Sequence, residues 1–97
     1  MKILFIYTDV STAIGYTAGI GSLSAFLKRE GHEVKLIHVS DELDYPLDLK
    51  RINMDIDVYK PGLICFSITT NQWYYSRHIG QNIRKEFNIP IIAGGHH

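Results

Sequence analysis

The chain has 97 residues, 45% hydrophobic and 21% charged, with ten basic and ten acidic side chains that cancel. That length suits one domain with a modest core, and the balanced charge provides no basic face for nucleic acid or an acidic membrane surface. The longest apolar run, Ile3–Tyr7, is far too short to cross a bilayer, and a single cysteine, Cys65, excludes an internal disulfide and an all-cysteine metal site within the chain.

Taken in order, Lys2–Tyr7 (KILFIY) is a short apolar run of branched and aromatic residues, the pattern of a strand covered on both faces. It lacks the long apolar core and cleavage site of a signal peptide, so a cytoplasmic location is expected. Thr8–Thr17 is a loop of small and polar residues. Ala18–Glu30 is predicted helical, with Ile20, Leu23, Phe26 and Leu27 on one stripe. Thr17 suits the N-cap, Lys28 and Arg29 the last turn, and Gly31 the position after it. Glu33–Val39 is a strand nearer a sheet edge, and Ser40–Tyr45 an acidic loop. Leu49, Ile52, Ile56 and Tyr59 give Pro46–Tyr59 helical spacing, and Pro61-Gly62 ends it. Leu63–Ser67 (LICFS) is a second apolar strand, followed by a polar turn over Ser67–Gln72. Trp73–Phe87 is a third helix, with Ile79, Ile83 and Phe87 in register and Asn71 as a cap. Ile89–Ala93 is the fourth strand.

Regular β-α alternation predicts an α/β fold, a three-layer, parallel, flavodoxin-like (Rossmann-like) arrangement. Right-handed crossovers leave strand order 2-1-3-4 as the best fit, with one domain over residues 1–97. The fourth strand is nearly as apolar as the central ones yet falls at an edge. Exposed apolar edges self-associate unless covered. The sheet is therefore expected to be incomplete, with a fifth strand and flanking helices beyond residue 97 and self-association of the fragment through that edge.

Ligands of open parallel sheets bind at the carboxyl rim of the strands. Three loops fall there. Asp9, Ser11, Thr12 and Gly15 lie in the first, Ser67, Thr69 and Thr70 in the second, and Gly94, Gly95 and His97 in the third. Ordinary turns use the same residue types, but the long first loop and the paired glycines favour a ligand site. Gly19-Ile20-Gly21-Ser22-Leu23-Ser24 is a broken dinucleotide fingerprint set too far from the first strand for pyrophosphate to meet a helix terminus. The five histidines include no pair at helical zinc spacing. His32, His38 and His78 read as surface or boundary residues, and His96-His97 also matches the start of a purification tag. Trp73, Tyr74 and Tyr75 open the third helix beside the rim, where they either stack on a planar ligand or pack beneath it. No nucleophile–base pair and no partnered carboxylate pair is evident, so neither catalytic nor metal-ligating residues are assigned.

Read together, KILFIY, GIGSLSAFLKREGHEVKLIHV, KPGLICFSITTNQ and IPIIAGGHH resemble the amino-terminal cobalamin-binding domain of cobalamin-dependent radical S-adenosylmethionine enzymes. Ser67 keeps that family's strand-end serine, Gly94-Gly95-His96-His97 matches its G-G-x-H rim, and Gly62 stands where aspartate is usual. The resemblance implies cobalamin laid across the rim, with the ten rim residues named above as its contacts. Related cobalamin mutases carry D-x-H-x-x-G in the first loop. Here Ser11 stands at the histidine position, which implies a corrin without a histidine lower ligand. The resemblance also implies that an iron–sulfur cluster and S-adenosylmethionine belong to a barrel beyond this chain. GIGSLSAFLKREGHEVKLI resembles, as the alternative, the amino-terminal half of two-domain nucleotide-sugar glycosyltransferases, but CFSITTN and AGGHH depart from their histidine motifs.

Overall fold

The computed structural model describes residues 1–10 and 18–96. Among them run β1 (Lys2–Thr8), α1 (Ala18–Arg29), β2 (Glu33–Val39), α2 (Leu49–Tyr59), β3 (Leu63–Thr69), α3 (Trp73–Glu86) and β4 (Ile91–His96). The strands form one parallel sheet in the order β2-β1-β3-β4, as expected of an incomplete flavodoxin-like fold.

Alternation along the strands divides the core between two faces. Leu4 and Ile6 of β1, Ile37 and Val39 of β2, and Ile64, Phe66 and Ile68 of β3 meet Ile52 and Ile56 of α2 and Ile79 and Ile83 of α3. The opposite face is thinner: Ile3, Phe5 and Cys65 are buried there, with Leu27, Val34 and Leu63 packed around them. Burial pushes the Cys65 thiol above its usual pKa, which fits a structural side chain. Among the described residues α1 is the helix packed against that cluster, through Leu27, while its Leu23 is 46% and Phe26 47% exposed.

Several boundaries move from the predicted ones for local reasons. α2 starts at Leu49 because the Asp48 side chain accepts from the amides of Lys50 and Arg51 as an N-cap. It ends at Lys60, whose φ of 55° is left-handed. α1 closes at Arg29, and Gly31 takes φ 92°, the conformation expected after a helix end. β3 continues through Thr69, so Ser67–Thr69 is strand rather than turn, and Ile68 is buried in the core. β4 begins at Ile91, since Pro90 has no amide to give the ladder and contributes only its carbonyl, to Ile64. The strand then runs through both glycines to His96. Gln72, not Asn71, holds the N-cap position of α3.

The loop after β2 closes through a bridge between Ser40 and Tyr45. Tyr45 Oη donates to Asp55 Oδ2 at 2.5 Å, and the Arg51 guanidinium lies 4.0 Å from the centre of its ring. Burial first, then the bond to Asp55 and its charge, raise the Tyr45 pKa from 10.0, with Arg51 opposing. The folded state therefore favours the neutral phenol. This contribution is complete below the unfolded tyrosine's pKa and is lost as pH climbs above it. Urea unfolding at about pH 8 and about pH 11 should show a larger alkaline loss of stability in the wild type than in Tyr45→Phe. Equal losses would remove Tyr45 as the cause.

Candidate functional site

At the carboxyl rim, the first and third strands are tied together by side chains. Gln72 is buried, accepts from the Val10 amide at 2.8 Å and donates to the Val10 carbonyl at 3.1 Å. This bidentate contact spans 62 residues of sequence and fixes the start of the first loop against the start of α3. Beside it, the hydroxyls of Thr8 and Ser76 share a buried hydrogen bond of 3.2 Å. Asp9 extends the ladder by donating its amide to the Val39 carbonyl. Its carboxylate accepts from His38 Nε2 at 2.5 Å, and only 6% of the Asp9 side chain is exposed. Ser40, at the end of β2, is buried, and no described residue bonds its hydroxyl.

Strand register arranges four residues in one transverse row: His38 beside Tyr7, Tyr7 beside Ser67, Ser67 beside Gly94. By alternation all four belong to the α1 face, and the Tyr7 and His38 rings confirm it by meeting at 5.0 Å and 60°. At about 4.8 Å per strand the row spans roughly 14 Å. It passes from two rings to a hydroxymethyl and then to no side chain at all. A Cβ built at Gly94 would meet nothing within 4 Å. The row thus runs from a buried Tyr7 ring, past Ser67, to exposed open space at Gly94 on β4. Burial raises the Tyr7 phenol pKa, and the nearby Asp9 charge adds to the shift, so it enters the row as a neutral hydroxyl.

Of the rim residues expected from sequence, Ser67 and Gly94 are cross-strand neighbours, and Asp9 holds His38 at the far end of the same row. Gly95 pairs with Ile68, and Thr69 with His96, so their backbones continue the ladder above Gly94, and Thr70 opens the single turn Thr70–Gln72 that leads into α3. Ser11, Thr12, Gly15, His97 and the Thr17 cap lie outside the described residues. Trp73 does not reach this row. It is 49% exposed and lines a groove on the opposite face of the sheet, while Tyr74, 75% exposed, meets Tyr75 edge-on. His38 is more than a boundary residue, because Asp9 holds it. Sequence reasoning missed His38, Tyr7 and Ser76 as rim residues, and placed Gln72 in a rim turn without its contact to Val10. Strand register would have exposed the first two, since each lies at or next to the last residue of a predicted strand.

The described residues contain no group of three or more histidine, cysteine, aspartate or glutamate side chains placed to hold a metal ion, and none of their helices is long and apolar enough to cross a membrane. Compared with protein-family models, with curated proteins and with solved structures, the chain has no match.

Proposed function

We propose that the chain is the cobalamin-binding part of a larger radical S-adenosylmethionine enzyme, and that it holds the corrin across the carboxyl rim of its sheet. The observation that carries this reading is the Tyr7–Ser67–Gly94 row, which ends in open space at Gly94. Cobalamin joins a broad disc to a planar base on a flexible tail, so its site needs both a flat rim and open space for the base. The residues fit that need. Gly94 leaves room for a ring, and the Ser67 hydroxyl and the rim amides can bond polar edges. Gln72 keeps the rim in shape by fixing Val10.

When bound, cobalamin supplies the cobalt centre for methyl transfer or rearrangement, and the chain binds and orients it. Ser11 stands where related proteins carry a histidine lower ligand, so the first loop would hold the corrin without one. The iron–sulfur cluster and S-adenosylmethionine are bound outside these 97 residues.

The test is optical. The protein is mixed with hydroxocobalamin, desalted and scanned in the visible. Co-elution of about one corrin per chain is expected, with weaker retention of aquocobinamide, which lacks the nucleotide tail. Colourless protein after desalting would overturn the reading, and equal retention of both corrinoids would remove the space at Gly94 from it.

A further inference from the structure

β2 ends the sheet on the side away from β4 and has an edge of its own. In a parallel ladder the residues of a strand direct their backbone groups to alternate sides. Glu33 donates to the Met1 carbonyl and Val39 accepts from the Asp9 amide, so the odd-numbered residues of β2 face β1. The even-numbered ones face outward. Ser40 shows this directly, because its amide and carbonyl both bond Tyr45, in the loop that turns back along the edge. That return closes the edge at Ser40. Val34, Leu36 and His38 keep their amides and carbonyls pointing away from the sheet, and among the described residues only β1 pairs with β2. In the middle of this short edge stands Leu36, 46% exposed. Sheet edges are normally defended by a charge or a bulge. Here the register of β2 on β1 is unbroken, and the central residue is apolar.

We infer that this edge is a homodimer interface, in which β2 pairs antiparallel with β2 of a second copy about a two-fold axis at Leu36. The edge is self-complementary, as such an axis requires. Leu36 lies opposite its own counterpart, and Val34 lies opposite His38. These are the outward-facing residues, so each pair exchanges two backbone bonds. One face of the joined sheet sets the two leucines side by side, and the other sets Lys35 against Ile37 rather than against itself. Charge decides the direction. Residues 28–35 carry Lys28, Arg29 and Lys35 against Glu30 and Glu33, whereas the loop 40–45 carries Asp41, Glu42 and Asp44 and no base. Arg51 and Asp55, which both meet Tyr45 beside that loop, offset each other. Antiparallel pairing lays the acidic end of each copy against the basic end of the other, and parallel pairing sets acid on acid. An extended strand of another protein gains the same backbone bonds, but nothing in the edge selects it as the leucine contact and the crossed charges select a second copy.

Sedimentation velocity of the 97-residue protein over a concentration series tests it. The wild type should rise reversibly from one chain to a plateau at two. Leu36→Lys and Leu36→Glu each place like charges at the axis, which should weaken the dimer at least roughly tenfold, with the wild-type circular dichroism spectrum retained. An equimolar mixture of the two variants should recover the dimer, because residue 36 then faces the opposite charge. A leucine that served only the fold gives no such rescue. Ile92→Lys, at an exposed site on the other edge strand, should dimerise as the wild type does. A wild type that stays single at every concentration would overturn the inference and leave the edge to a strand of another protein. Wild-type dimerisation of either Leu36 variant, or a Lys–Glu mixture that stays single, would overturn it too. So would a dimer lost in Ile92→Lys, which would move the seam to β4. None of these outcomes depends on corrin binding.

Discussion

Gly94→Trp is expected to abolish corrin retention while leaving the fold intact. A side chain at residue 94 starts in open space, with no atom within 4 Å of its Cβ, and Gly94 is not among the glycines held at positive φ. An indole there therefore does not strain the backbone. It does occupy the space beside Ser67 and turns the small end of the row into a third ring after His38 and Tyr7. Losing a planar group's seat should cost at least a tenfold change in affinity, about 1.4 kcal/mol or more. Visible absorbance after desalting reads the loss, and far-UV circular dichroism with thermal melting reads the fold. Full retention by a well-folded Gly94→Trp would show that the corrin does not use the space at Gly94. A Gly94→Ala variant, which adds one methyl, should keep most of the binding.

Ile6→Ala should have the largest effect on stability. Ile6 is fully buried at the centre of β1, in the cluster that joins α2 and α3 to the sheet. β1 is paired on both sides and its neighbours are anchored by helices, so little backbone can move to fill the void. Removing three carbons there is expected to cost about 3–5 kcal/mol, a large share of what a domain of this size has. Urea unfolding followed by circular dichroism would measure it. Ile92→Ala on β4, where the side chain is 56% exposed, should cost well under about 1 kcal/mol by comparison. A similar loss at both positions would mean that the outer face of β4 is covered in solution.

These two positions show how far the sequence was legible. Ile6 sits in KILFIY, a run whose composition announces a strand buried on both faces, and alternation with helical segments leaves few sheet orders open. Boundaries were less legible where a backbone bond decides them. Asp48 caps α2 with its side chain, and Pro90 delays β4 by lacking an amide. The rim was half legible. Its glycines and serine are visible as residue types at strand ends, but the row they form depends on register, which turns on which residue of β1 faces which residue of β2. The Asp9–His38 contact joins residues 29 apart and Gln72–Val10 residues 62 apart, and no local pattern encodes either. The groove beside α3 was not legible at all, because no local pattern places α3 residues next to Ile91 and Ala93 of β4.

The uneven cover of the two faces has a consequence for how the molecule breathes. No residue from Gly21 to Arg29 is fully buried, whereas α2 and α3 each anchor fully buried isoleucines, so α1 is expected to lift from the sheet before they do. In hydrogen exchange the amides of α1 should be among the first to trade with solvent, through a sub-global opening far below the energy of full unfolding. The row of His38, Tyr7, Ser67 and Gly94 lies on the face that this opening uncovers. Any molecule seated there that also touches α1 binds only the closed state, and so slows the exchange of the α1 amides in proportion to its concentration over its dissociation constant. The α1 amides are thus a built-in reporter of occupancy on that face.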